Sequence, residues 1–138
     1  LYAGQGRLDE AMGEWQAALR VEPDHVGARC NLGVAYGMQG RLDEAAREYK
    51  AALDSQPDCA EAHYNLGVNY GTRGLHDQAL REFQAAVRIK SDYVEAHNNL
   101  AVAYWQGGRR EEAIQQWKTA AQLGSAQAGQ VLAQLGQG

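Results

Sequence analysis

The chain is predicted to be all-α, an array of helical hairpins stacked in chain order. Two observations predict it. The stretch Asn31-Leu32-Gly33-Val34-Ala35-Tyr36 recurs at Asn65–Tyr70 and at Asn99–Tyr104, a step of 34 residues each time (65 − 31 and 99 − 65). A fixed period of this size marks a repeat architecture. Five further columns keep the same step. Tyr2, Tyr36, Tyr70 and Tyr104 form one, and Gly6, Gly40, Gly74 and Gly108 another. Ala11, Ala45, Ala79 and Ala113 form a third, and Ala18, Ala52, Ala86 and Ala120 a fourth. Trp15, Tyr49, Phe83 and Trp117 keep an aromatic side chain at the remaining one.

The elements follow from spacing and punctuation. Residues 9–22 read as a helix with Ala11, Trp15, Ala18, Leu19 and Val21 on one face. Asp9 and Glu10 favour its positive end, Pro23 stops it, and Gly6 is expected to form the turn before it. Helix pairs are then predicted at 26–39 and 43–55, at 60–73 and 77–89, and at 94–107 and 111–123. Gly40 is expected in the left-handed conformation that closes a helix. Gly33 sits mid-helix, where glycine costs about 0.5–1 kcal/mol against alanine, so a close neighbour is expected there. Asn69 replaces the alanine of the other repeats (Ala35, Ala103), and a hydrogen bond to a backbone carbonyl is expected for it. After Leu123-Gly124-Ser125 the period breaks, and 126–135 read as a capping helix with Ala128, Val131, Leu132 and Leu135 inward.

The signature carried by Leu32, Gly33, Tyr36, Ala45, Tyr49, Ala52 and Pro57 resembles the tetratricopeptide repeat. The resemblance implies a right-handed superhelix of a partial repeat at 1–25, full repeats at 26–59, 60–93 and 94–127, and a capping helix and tail at 128–138. In that frame the first repeat lacks the start of its first helix, so the chain is expected to open inside a helix, as a piece of a longer polypeptide would. The sequence departs from the family pattern in three places. Arg29, His63 and His97 stand where the family has an early Trp, Ser91 and Ser125 replace the closing Pro, and Ala101 replaces a Gly.

Composition narrows the function classes. Hydrophobic residues make up 45% of the 138, charged residues 22%, and the net charge is −4. An acidic chain without a basic stripe argues against nucleic acid. No apolar run approaches the about 18 residues of a membrane span, and no signal peptide is visible. Cys30 and Cys59 do not make a disulfide framework, and they are expected not to approach within the about 7 Å that bridging requires. Free thiols fit a reducing compartment, so a cytoplasmic location is expected.

No catalytic constellation emerges, and the chain is read as non-catalytic, without cofactor or metal. His63 and His97 share a repeat position but lack further ligands at suitable spacing. Cys30 has only Arg29 beside it, with no base or orienting partner. The glycines fall at repeat turns and form no phosphate loop.

The working surface implied by the resemblance is a groove lined by the first helix of each pair, holding a peptide segment of a partner protein. The candidate peptide-binding residues are Asn31, Val34, Tyr64, Asn65, Val68, Asn98, Asn99 and Val102. An Asn amide both donates and accepts, so the Asn31, Asn65 and Asn99 row can pair with an extended backbone, and the valines add apolar contact. Asn at this place is also common in the family as a structural choice, and both readings stay open. The carboxylate clamp that grips chaperone C-termini is not expected, because Cys30, Val34, Glu61 and Glu95 occupy its places. Two alternatives are carried: self-association through the N-terminal end near Leu1, Tyr2 and Trp15, and service as the regulatory or targeting domain of a larger enzyme.

Overall fold

The computed structural model describes residues 2–137, with side chains from Gly4 onward. Among the described residues there are eight helices and no strand. They are α1 (Tyr2–Val21), α2 (Val26–Met38), α3 (Leu42–Ser55), α4 (Ala60–Thr72), α5 (His76–Ile89), α6 (Val94–Gln106), α7 (Arg110–Gln122) and α8 (Ala126–Gln134). Each packs on its chain neighbours, and α2 also touches α4, so the hairpins stack in order. The fold is an all-α superhelical array.

Glycine sets the turn inside each hairpin. Gly40, Gly74 and Gly108 hold φ of 75°, 76° and 80°, a region that disfavours any side chain. The next residue's N–H then reaches back over the helix end: Arg41 to the Tyr36 carbonyl (2.9 Å), Leu75 to Tyr70 (2.8 Å) and Arg109 to Tyr104 (2.9 Å). These bonds satisfy carbonyls that a helix end would otherwise orphan. Arg41 and Arg109 also lay their guanidinium groups over the rings of Tyr36 and Tyr104, at 4.5 and 4.6 Å.

The turn expected at Gly6 does not form: α1 runs unbroken from Tyr2 through Gly6 to Val21. Among the described residues no second helix packs back across Gly6, so nothing there requires the left-handed backbone that Gly40 adopts, and the glycine stays helical.

A continuous ribbon of buried side chains runs from α3 to α8, through Tyr49, Leu66, Tyr70, Phe83, Leu100, Tyr104, Trp117 and Leu132. Met12, Leu32 and Ala35 form its counterpart at the start, with Leu8, Trp15 and Leu19 against them. Two mid-helix glycines explain the hairpin spacing. A Cβ on Gly33 would lie 2.6 Å from the Tyr49 ring, and one on Gly67 2.7 Å from Phe83. The aromatic column therefore seats directly on bare helix backbone.

The slot that the family gives to Trp holds a polar strut instead. Arg29 donates to the Pro23 carbonyl (3.2 Å) and to Glu48 on the facing helix (3.0 Å). His63 bridges the Pro57 carbonyl (2.9 Å) and Glu82 (2.8 Å). His97 bridges the Ser91 carbonyl and Gln116, both at 2.7 Å. Each strut ties the loop before a hairpin to that hairpin's second helix. Both ring nitrogens of His63 and of His97 are engaged in these contacts.

Candidate peptide groove

The face made by α2, α4 and α6 carries the predicted site residues, and the repeat period determines how they meet. Val34, Val68 and Val102 lie one above another, 43%, 39% and 41% exposed, too open to be core. Asn31 is exposed; Asn65 and Asn99 are half-buried between neighbouring first helices. Asn99 Nδ2 donates to the Tyr64 hydroxyl at 3.3 Å, which links the two columns across one repeat.

Two cavities open on this face, related by the repeat step. The first, about 330 Å³, has Val34, Gly37 and Met38 of α2 on one wall, Asn65, Val68 and Thr72 of α4 on the other, and Tyr49 as its floor. The second, about 320 Å³, repeats the plan with Val68, Gly71 and Thr72 facing Asn99, Val102 and Gln106 over Phe83. So Asn65, Val68, Asn99, Val34 and Val102 are brought together as lining of consecutive cavities. The floor residues Tyr49 and Phe83 escape sequence reasoning as site residues, since their column reads as hairpin core. Their signal was the step itself, which sets an aromatic beside every valine.

Asn98 takes another place. Its Nδ2 donates to Ser125 Oγ at 3.1 Å, and that hydroxyl accepts the Ala128 N–H as the N-cap of α8. The Asn98 Oδ1 is buried without a hydrogen-bond partner. Asn98 thus joins α6 to the start of α8, whereas Asn31, Asn65 and Asn99 lie on the α2–α4–α6 face. Asn69 behaves as its burial demanded, donating to the Leu42 carbonyl at 2.8 Å.

The electrostatics of the groove are acidic at the start of α4 and α6. Burial raises the Tyr64 hydroxyl, and the charge of Glu95 raises it further, against the hydrogen bond from Asn99. Tyr93, 5.1 Å from Tyr64 between ring centroids, is raised by burial and then by Glu61, Tyr64 and Glu95. Lys90 stands over the Tyr93 ring at 4.8 Å. Neither cavity has a Lys or Arg in its lining.

The two cysteines meet in one cluster close by. Cys59 packs against the buried cluster of Cys30, Ala52 and Ala62, and both cysteines are free thiols. Cys59 is the N-cap residue of α4 and α2 touches α4, so the stack of neighbouring repeats brings the two together. Burial, then the charge of Cys59, then Glu61, push the Cys30 thiol up to about 12. A thiol so protonated is a poor nucleophile. Among the described residues no group of three or more His, Cys, Asp or Glu could hold a metal ion. No described helix is long and apolar enough to cross a membrane.

Comparison with known proteins agrees with this architecture. A family model described as tetratricopeptide repeat matches residues 39–93 and again 69–130, and a second, TPR repeat, matches 1–40. The chain belongs to the tetratricopeptide repeat family. No curated protein matches it in sequence. Among solved structures it is similar to a crystal structure of MamA (TM-score 0.78, 23% identity, 88% of this chain and 71% of that one). It also resembles MamA 41-end from Desulfovibrio magneticus RS-1 (TM-score 0.74, 20% identity, 88% and 68%). MamA AMB-1 is similar at 27% identity and a TM-score of 0.70, over 88% and 72%. The likenesses below 25% identity speak for the fold alone. Family and fold together support a scaffold for protein–protein interaction as the general role.

Proposed function

We propose that the protein is a non-catalytic scaffold that holds an extended segment of a partner protein along the α2–α4–α6 face. One observation carries the reading: Asn65 and Asn99 recur at the same place in two successive cavities, each between exposed valines. A repeated amide can pair with a peptide backbone at a regular interval, whatever the side chains. The valines remain exposed although buried positions abound, which suits a surface that is covered on binding. The test uses peptides selected on the wild-type protein from a random library. Replacing Asn31, Asn65 and Asn99 together by Ala should weaken those peptides by about tenfold or more while the helical content stays unchanged. Unchanged affinity in a folded variant contradicts the groove reading.

A second reading, self-association, has its own observation. A cavity of about 890 Å³ lies between α1 and the end of α2, lined in part by Leu8, Ala11 and Met38. Met38 is 72% exposed there. Light scattering across a concentration series discriminates, since a strict monomer at high concentration removes this reading.

A further inference from the structure

Gly37 and Gly71 are the residues of the groove that helix formation does not explain. Both lie inside helices, α2 and α4, where glycine is disfavoured against alanine. Gly33 and Gly67 have a packing reason, because an aromatic ring occupies the place of their Cβ. Gly37 and Gly71 have none. A Cβ on Gly37 would meet nothing within 4 Å, and one on Gly71 only Ala79, at an ordinary 3.9 Å. What a side chain there would fill is the cavity itself, since Gly37 lines the first and Gly71 the second. The same position one repeat later supplies the contrast. It holds Trp105, whose ring packs against Trp117 at 5.7 Å between centroids. The array therefore keeps two consecutive cavities open and lets a large side chain occupy the third place.

Resting on the groove reading above, we propose that the partner segment is an extended, net-cationic peptide that sets two apolar side chains into these twin cavities. Cavity volume and lining argue for the apolar pair: valine walls and an aromatic floor in each, with Asn65 and Asn99 at equivalent places. Charge complementarity argues for the cationic residues. Glu61 and Glu95 are exposed at the start of α4 and α6, beside Tyr64 and Tyr93. Lys90 offsets part of that charge from above the Tyr93 ring, and neither cavity lining adds a Lys or Arg, though His76 lines the second. A lysine or arginine of the segment would meet two carboxylates and the faces of two tyrosines. Gly37 and Gly71 then determine specificity by leaving room rather than by making contact.

The experiment is a selection from a random dodecapeptide phage library on the wild-type protein, followed by titration of one fluorescein-labelled selected peptide. Selected sequences should carry two apolar residues and net positive charge. Gly37→Leu and Gly71→Leu should each weaken the labelled peptide by about tenfold or more, because each occupies the volume of one apolar side chain. Both variants should melt at or above the wild-type temperature, since leucine favours the helix, so lost binding cannot be lost folding. Glu61→Gln with Glu95→Gln should weaken the peptide several-fold and flatten the salt dependence of its affinity. Selection of acidic peptides, or full affinity in both leucine variants, overturns the inference. If binding survives the leucines but falls in the asparagine variant, the groove reading stands and the cavity inference alone fails. If no peptide is selected, or binding is indifferent to asparagines and glycines alike, both fail.

Discussion

Cys30 illustrates how place in the stack decides chemistry at the scale of one residue. Its thiol is buried against Ala52, Ala62 and Cys59, and titrates at about 12. Iodoacetamide at pH 8 should therefore modify half-buried Cys59 long before Cys30 in the native protein. Mass spectrometry showing equal rates contradicts the burial described. Tyr49, packed on Gly33, is likewise raised from 10.0 to about 12, first by burial and then by Cys30. Both groups hold their protons more tightly folded than unfolded. Their stability contribution is thus complete below about pH 9, the ordinary thiol value, and is lost as pH rises toward 12. Urea midpoints should stay level from neutrality to that value and fall above it; a flat profile to pH 11 contradicts the assignment. The Cys30 effect was not legible in the sequence, because the packing of Cys59 on Cys30 crosses from one repeat to the next. The same limit hid the role of Asn98: its column neighbours predicted a groove residue, while its partner, Ser125, is the residue after which the period breaks. By contrast, the backbone bond of Asn69 was legible, since a lone polar residue in an alanine column must find an acceptor.

At the scale of the element, one glycine column contains two different physical situations. Gly40, Gly74 and Gly108 are turn glycines at positive φ, Gly6 is helical, and the sequence writes all four alike. Gly74→Ala should lower stability by about 1 kcal/mol, the cost of a left-handed alanine. Gly6→Ala should raise it by about 0.5–1 kcal/mol, as expected of an exposed helical site. Chemical denaturation of the two variants measures the difference, and equal signs would contradict the continuous α1. The mid-helix glycines divide in the same way. Gly67→Ala pushes a methyl to 2.7 Å from the Phe83 ring and should destabilise by about 1 kcal/mol or more. Gly71→Ala, four residues on, should stabilise. Pattern reasoning found the helices and their turns because caps and apolar spacing are local. It misplaced the start of the first element, because a glycine in the turn column does not by itself report whether the backbone turns there, and α1 runs through Gly6.

Across the whole molecule, stability is a chain of nearest-neighbour contacts, and function is read along the same axis. No hairpin can bury its apolar face alone, so each lends a wall to the next. That is why the cavities come in series, each made of two repeats and belonging to neither. The fold class was legible almost entirely, since a 34-residue step repeated in six places admits few architectures. The groove residues were legible as columns; their depth, floor and openness were not, because cavity shape depends on the angle between stacked hairpins. Helix α8 buries Ala128 and Leu132, and removing it should expose the Trp117 end of the ribbon and lower solubility.

The most direct measurement is a titration of isotope-labelled protein with a selected peptide, followed by amide chemical shifts. Perturbations concentrated at Asn31, Val34, Asn65, Val68, Asn99 and Val102, with little change along α3, α5 and α7, are the predicted result. Perturbations that track the second helices instead, leaving the asparagine and valine rows unmoved, would contradict it.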